Sequence, residues 1–153
     1  MRRCPGFAIG AEPSNGNPEA CASKWRTLEP SGPAGSSWET RYAYSRAVVA
    51  GGRVYVSGTA PIMPDDADPP AGPYAQARRC FDIIERALVE AGAGVPDVVR
   101  TRVFVTDPSH MSEVMTAHKD VFGDVRPAST GVVVQLVDPR WLVEIDVEAI
   151  LPA

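Results

Sequence analysis

The sequence predicts an α+β fold, a β-β-α-β-α-β-β sheet with two helices packed on one face. Three observations carry this. Apolar residues recur at spacings of three and four after Pro73 and again after Asp107, which is the period of one helix face. Apolar and charged residues alternate over 97–106 and 142–150, the period of a strand with two different faces. Ala50-Gly51-Gly52 joins two β-branched and aromatic runs, and glycine there supplies the positive φ of a hairpin turn.

Taken in order, residues 1–36 read as a flexible arm and 37–153 as the domain. Pro13, Pro18, Pro30 and Pro33 interrupt a stretch rich in Gly, Ser, Asn and Glu, so no helix or strand is expected through it. Trp25 and Trp38 are the residues by which part of the arm would dock. Residues 42–49 and 53–57 form the first two strands. After a Pro/Asp/Gly loop, Pro73 opens a helix in its first turn, Ala77, Phe81, Ile84, Leu88 and Ala91 form its buried stripe, and Gly92 stops it. Residues 97–106 form the third strand. Asp107 caps a second helix whose stripe is Met111, Val114, Met115, His118, Val121 and Phe122, with Gly123 as its terminator. Residues 132–137 and 142–150 supply the last two strands.

Composition narrows the function. The chain has 153 residues, 44% of them apolar, and a net charge of -4, which suits one domain of ordinary core size. No run of Lys or Arg offers the clustered basic face that phosphate binding needs, so no nucleic-acid partner is expected. No apolar stretch reaches the ~20 residues of a membrane span, and the apolar residues behind Met1-Arg2-Arg3 are too few and too broken for a signal-peptide core. Cys4, Cys21 and Cys80 are odd in number and widely spaced, which suggests neither disulfides nor a metal site; a reducing cytoplasm follows, with no cofactor. Cys80 beside Phe81 reads as a small apolar core residue. His118 reads as a core or pocket-edge histidine in preference to a catalytic base, and His110 as a surface residue. Gly51-Gly52 is a turn and not a phosphate loop, because no Lys-Ser/Thr pair follows it. Trp141 reads as a loop anchor in preference to a pocket wall.

The last strand points Val143, Ile145, Val147 and Ala149 one way and Glu144, Asp146 and Glu148 the other. In the third strand Val99, Thr101, Val103 and Val105 alternate with Arg100, Arg102, Phe104 and Thr106. Cationic and anionic residues therefore meet on the face opposite the helices. That face is either solvated and charge-paired or a subunit interface.

Several segments together carry a resemblance: Tyr44-Ser45-Arg46-Ala47, Val56-Ser57-Gly58, Val103-Phe104-Val105-Thr106-Asp107, Arg126-Pro127-Ala128-Ser129-Thr130 and the strand from Val143 to Ile150. Over residues 38–153 the chain resembles the Rid family, the YjgF-like reactive-intermediate deaminases also called L-PSP endoribonucleases. The resemblance implies a chorismate-mutase-like fold and a homotrimer with a small-molecule ligand site at each subunit interface. It places the family's pocket tyrosine on Tyr44, its strand serine on Ser57 beside Gly58, and its terminal glutamate on Glu148. It also implies departures. Pro127-Ala128-Ser129 stands where the deaminases have Pro-Ala-Arg, so Ser129 replaces the arginine that grips the substrate carboxylate; Gly131 and Met115 replace a frequent cysteine and an asparagine. Arg102 and Arg126 are the cations that could stand in for the missing clamp.

On that resemblance, Glu148 is the candidate catalytic group, moving protons between an attacking water and the leaving ammonia during hydrolysis of an imine. Tyr44, Ser57, Gly58, Ser129 and Arg102 are the candidate substrate-binding residues. Three functions follow, in this order. The first is a hydrolase or deaminase of a small imine or enamine other than the 2-aminoacrylate type; the second is a small-molecule-binding trimer without catalysis; the third is an endoribonuclease, which the acidic composition disfavours.

Overall fold

The computed structural model describes residues 25–28 and 37–152. Its elements are β1 (Trp25–Leu28), α1 (Ser37–Tyr42), β2 (Ala47–Ala50), β3 (Arg53–Thr59), α2 (Pro73–Ala91), β4 (Val98–Val105), α3 (Met111–Phe122), β5 (Ala128–Val133) and β6 (Val143–Ile150). The sheet order is β1-β2-β3-β6-β4-β5, antiparallel throughout except for the parallel β4–β5 pair.

The expected β-β-α-β-α-β-β order is present, with two additions at its start. Trp25–Leu28 pairs with β2, from Trp25 opposite Ala50 to Leu28 opposite Ala47. This corrects the expectation that no strand could form in the arm: these four residues lie between Pro18 and Pro30 and contain no proline themselves. The remainder of the arm, 1–24 and 29–36, lies outside the described residues. The first expected strand is also corrected, since residues 37–42 are helical and β2 begins only at Ala47.

The punctuation residues behave as their chemistry dictates. Gly51 and Gly52 take φ of 57° and 74° in a two-residue turn that sets Ala50 opposite Arg53. Pro73 stands in the first turn of α2, and Gly92 ends the helix in the left-handed conformation, donating its N–H to Leu88 and Val89 carbonyls. The Asp107 carboxylate accepts from the Ser109 N–H at 2.8 Å, capping a short 3-10 turn that leads into α3.

One face of the sheet is the core. Val54, Val56, Val103, Val105, Val143, Ile145, Val147 and Ala149 are buried against Phe81, Ile84 and Leu88 of α2 and Val114 and Phe122 of α3. Phe81 meets Phe122 edge-on, ring centroids 5.5 Å apart. Cys80 is wholly buried among these residues, as expected of a small apolar side chain.

Two strand expectations shift. A bulge between Val98 and Arg100 turns Val99 outward, so Val98 takes the core position expected for Val99. β5 begins at Ala128, four residues before the expected Val132, because Ala128, Ser129, Thr130 and Gly131 pair with Arg100 to Val103 despite the poor strand propensity of Ala128 and Gly131.

Candidate functional site

The segment between α1 and β2 is held beside β3 by hydrogen bonds that continue the β2–β3 pairing. The Ser57 N–H donates to the Arg46 carbonyl at 3.0 Å, and the Ser57 hydroxyl donates to the Ser45 carbonyl at 2.8 Å. These bonds fix Tyr44 and Arg46 next to the bulged end of β3, where pairing with β6 jumps from Val56 to Thr59.

Arg46 is almost wholly enclosed. Its Nε and Nη2 donate to Glu39 Oε1 at 2.9 and 2.8 Å, and its Nη1 donates to Thr59 Oγ1 at 2.7 Å and to the Gly58 carbonyl at 3.4 Å. Glu39 is 2% exposed, so the two charges neutralise each other inside the protein.

Beside this pair lies a cavity of about 330 Å³ lined by Tyr44, Arg46, Ser57, Gly58, Ala60, Ile62, Val137, Trp141 and Glu144. Glu144 projects from β6 over Gly58, where any Cβ would run into its carboxyl oxygen. Glycine inside a strand commonly marks such a close approach. Burial raises the pKa of Glu144 above the ordinary carboxylate value; Arg46 opposes the shift and Asp146 adds to it.

The opposite wall is positioned from α2. Buried Gln76 donates through Nε2 to the Arg140 carbonyl at 3.0 Å and accepts the Leu142 N–H at 2.8 Å. These two bonds tie the loop carrying Trp141 to the helix. Trp141 lines the cavity, the less favoured of the two roles expected of it.

The structure divides the residues expected at the site into three places. Tyr44, Ser57 and Gly58 meet in the cavity. Arg102 and Glu148 lie further along the open face, where Arg102 contacts Asp146 at 2.8 Å and Glu148 at 3.3 Å. Glu148 and Glu144 stand four residues apart on one strand, about 13 Å. Ser129 is on the other face. It sits opposite Thr101, whose hydroxyl is 2.9 Å from the Ser129 hydroxyl and 3.0 Å from His118 Nε2. Three strand spacings, on the order of 14 Å, separate Ser129 from β3 within the chain. Gly131 is covered by the Met111 side chain, which a Cβ would overlap. His118 is 8% exposed and satisfied by Thr101, the core role expected of it, and its burial lowers its pKa.

Arg46, Glu144, Trp141 and Gln76 were not singled out as site residues by the sequence. The usable signal was Gly58, a glycine within a strand facing the carboxylate-bearing strand. Among the described residues, no helix is long and apolar enough to cross a membrane and no three metal-ligating side chains cluster.

Comparison with known proteins agrees with this architecture. The family model described as Endoribonuclease L-PSP matches residues 35–151. A Streptomyces coelicolor protein, SCO2049, is 40% identical over 116 residues, covering 75% of this chain and 87% of that protein. Escherichia coli TdcF, provisionally named a reactive intermediate deaminase, is 30% identical over 81 residues, covering 53% of this chain and 63% of TdcF. The crystal structure of Rv2704 from Mycobacterium tuberculosis, a member of the YjgF/YER057c/UK114 family, has a TM-score of 0.72 at 39% identity, covering 83% of this chain and 99% of that one. The family match over most of the chain and the likeness to Rv2704 lead to one conclusion: this chain belongs to the Endoribonuclease L-PSP family, the YjgF-like or Rid group.

Proposed function

We propose that this protein is a Rid-like hydrolase that converts a small imine or enamine to a carbonyl compound, with Glu144 moving the protons. One observation carries the proposal: the Glu144 carboxyl is half-buried in the wall of a cavity, and its pKa is raised. A raised pKa keeps a larger share of a carboxyl group protonated at a given pH, so that it can serve as acid and base in turn. Glu148, the residue expected in that role, contacts Arg102 at 3.3 Å and is not among the residues that line this cavity.

The steps balance as follows. Protonated Glu144 donates to the imine nitrogen, which makes the C=N carbon electrophilic. Water adds to that carbon, and the Glu144 carboxylate takes the proton released. The same proton then passes to the nitrogen; the C–N bond breaks as the remaining O–H proton of the adduct returns to Glu144, which is thereby reprotonated, and a carbonyl compound and ammonia or an amine leave. An enamine enters the sequence once protonated at carbon.

Ser129 supports a substrate other than the 2-aminoacrylate type. Its hydroxyl carries no charge and is hydrogen-bonded to Thr101, whereas a carboxylate clamp needs a free guanidinium. The exposed face bearing Arg102, Asp146, Glu148, Tyr55 and Ile150 supports a homotrimer assembled through the sheet, with each cavity near a subunit boundary.

The test is ammonia release from an imine generated in situ by an amine oxidase. Acceleration by the protein, lost by about 10²- to 10⁴-fold in Glu144→Gln, is the expected result. No acceleration of any imine would favour a binding protein without catalysis.

A further inference from the structure

The charge inventory of the cavity points to its ligand. This inference rests on the hydrolase proposal above and names the substrate class of the same site. Among the described residues the one cation in the wall is Arg46, and its guanidinium is neutralised by buried Glu39 and further occupied by Thr59 and the Gly58 carbonyl. Glu144 has no hydrogen-bond donor among the described residues. Ionised, it leaves the Glu39, Arg46 and Glu144 group with one net negative charge.

The other walls agree with this sign. Ser57 directs its proton to the Ser45 carbonyl, so only its lone pairs can face a ligand. Tyr44 and Trp141 contribute aromatic rings, whose faces attract cations. Ala60, Ile62 and Val137 are apolar. The wall therefore combines acceptors, π faces and hydrocarbon. Of the other arginines, Arg102 is engaged with Asp146 and Glu148, Arg140 with Asp66, Asp68 and Asp138, and Arg79 donates its Nε to the Ile62 carbonyl.

From these residues we infer that the cavity takes a cationic nitrogen ligand with a compact apolar body and no carboxylate: a small protonated imine as substrate, and the corresponding ammonium as its analogue. Glu144 and the Ser57 oxygen accept from its N–H groups, while Tyr44, Trp141, Ile62 and Val137 cover its hydrocarbon. An anionic group would instead face the Glu144 carboxylate, beside an Arg46 already bound to Glu39.

Three probes that share a saturated six-membered ring separate the possibilities by calorimetric titration or chemical-shift perturbation: piperidinium, tetrahydropyran and cyclohexanecarboxylate. Piperidinium is expected to bind about tenfold or more tighter than either of the others, and Glu144→Gln is expected to remove that preference. Equal or tighter binding of cyclohexanecarboxylate would overturn the inference, as would a piperidinium affinity unchanged in Glu144→Gln. The ammonia-release assay distinguishes the two levels. Hydrolysis of imines without a preference for piperidinium removes the substrate class alone, and a preference for piperidinium without hydrolysis removes the hydrolase and leaves a cation-binding site.

Discussion

The carboxyl group of Glu144 occupies the space above Gly58 that a side chain would fill. The two residues come from neighbouring strands, β6 and β3, at the point where their pairing is irregular. Glycine at position 58 thus permits a half-buried acid at the cavity wall. Gly58→Ala is expected to push Glu144 aside. Displacement of a catalytic group by about 1 Å costs on the order of 10²-fold in rate, so kcat should fall by that order, while the unfolding free energy moves by no more than about 1 kcal/mol. A normal kcat in Gly58→Ala would separate Glu144 from the chemistry.

Burial of Glu144 has a pH signature in stability. The pKa of this acid is raised on folding, so its favourable contribution is complete below the ordinary value of 4.5 and is lost as pH rises through the raised value. Glu144→Gln should therefore be more stable than the parent above that window and should lose the advantage below it. Thermal denaturation across pH reads this directly; an advantage that grows on acidification would contradict the burial argument.

The Glu39–Arg46 pair should behave as a buried ion pair. Arg46→Met removes the buried cation that faces Glu39, at a cost of roughly 3–5 kcal/mol, and Glu39→Leu added to it should recover most of the loss. Denaturant unfolding of the single and double variants measures the coupling. Additive losses would mean that the two charges do not depend on one another.

The Ser129, Thr101 and His118 chain predicts a smaller effect. Thr101→Val keeps the shape and removes the hydroxyl between Ser129 and His118, which should destabilise the fold by about 1–3 kcal/mol. Ser129→Ala, at an exposed position, should cost less than Thr101→Val in the same unfolding measurement.

Most of the fold was legible because its elements announce themselves locally. Pro73, Gly92 and Gly123 mark helix ends, and the alternation in β6 assigns both faces of that strand. The parts that were not legible depend on distant partners. β5 holds Ala128, Ser129, Thr130 and Gly131 in strand form only because β4 pairs with them, and β1 forms against β2 in a segment whose composition argues for a loop. The site was half legible for the same reason. Tyr44, Ser57 and Gly58 follow from the family motifs. The alternation of β6 places Glu144, Asp146 and Glu148 on one face without saying which of them enters a cavity. That choice belongs to Arg102, which engages the other two, and to Gln76, which closes the wall beside Glu144.

The most direct test is the pH dependence of kcat/KM for imine hydrolysis in the parent, Glu144→Gln and Glu148→Gln. The account predicts a loss of about 10²- to 10⁴-fold in Glu144→Gln. It also predicts that Glu148→Gln stays within about tenfold of the parent, because it loses only an exposed contact to Arg102. The parent's profile should carry a limb above the ordinary carboxylate range that Glu144→Gln lacks. The reverse pattern, with Glu148→Gln inactive and Glu144→Gln retaining both rate and limb, would contradict it.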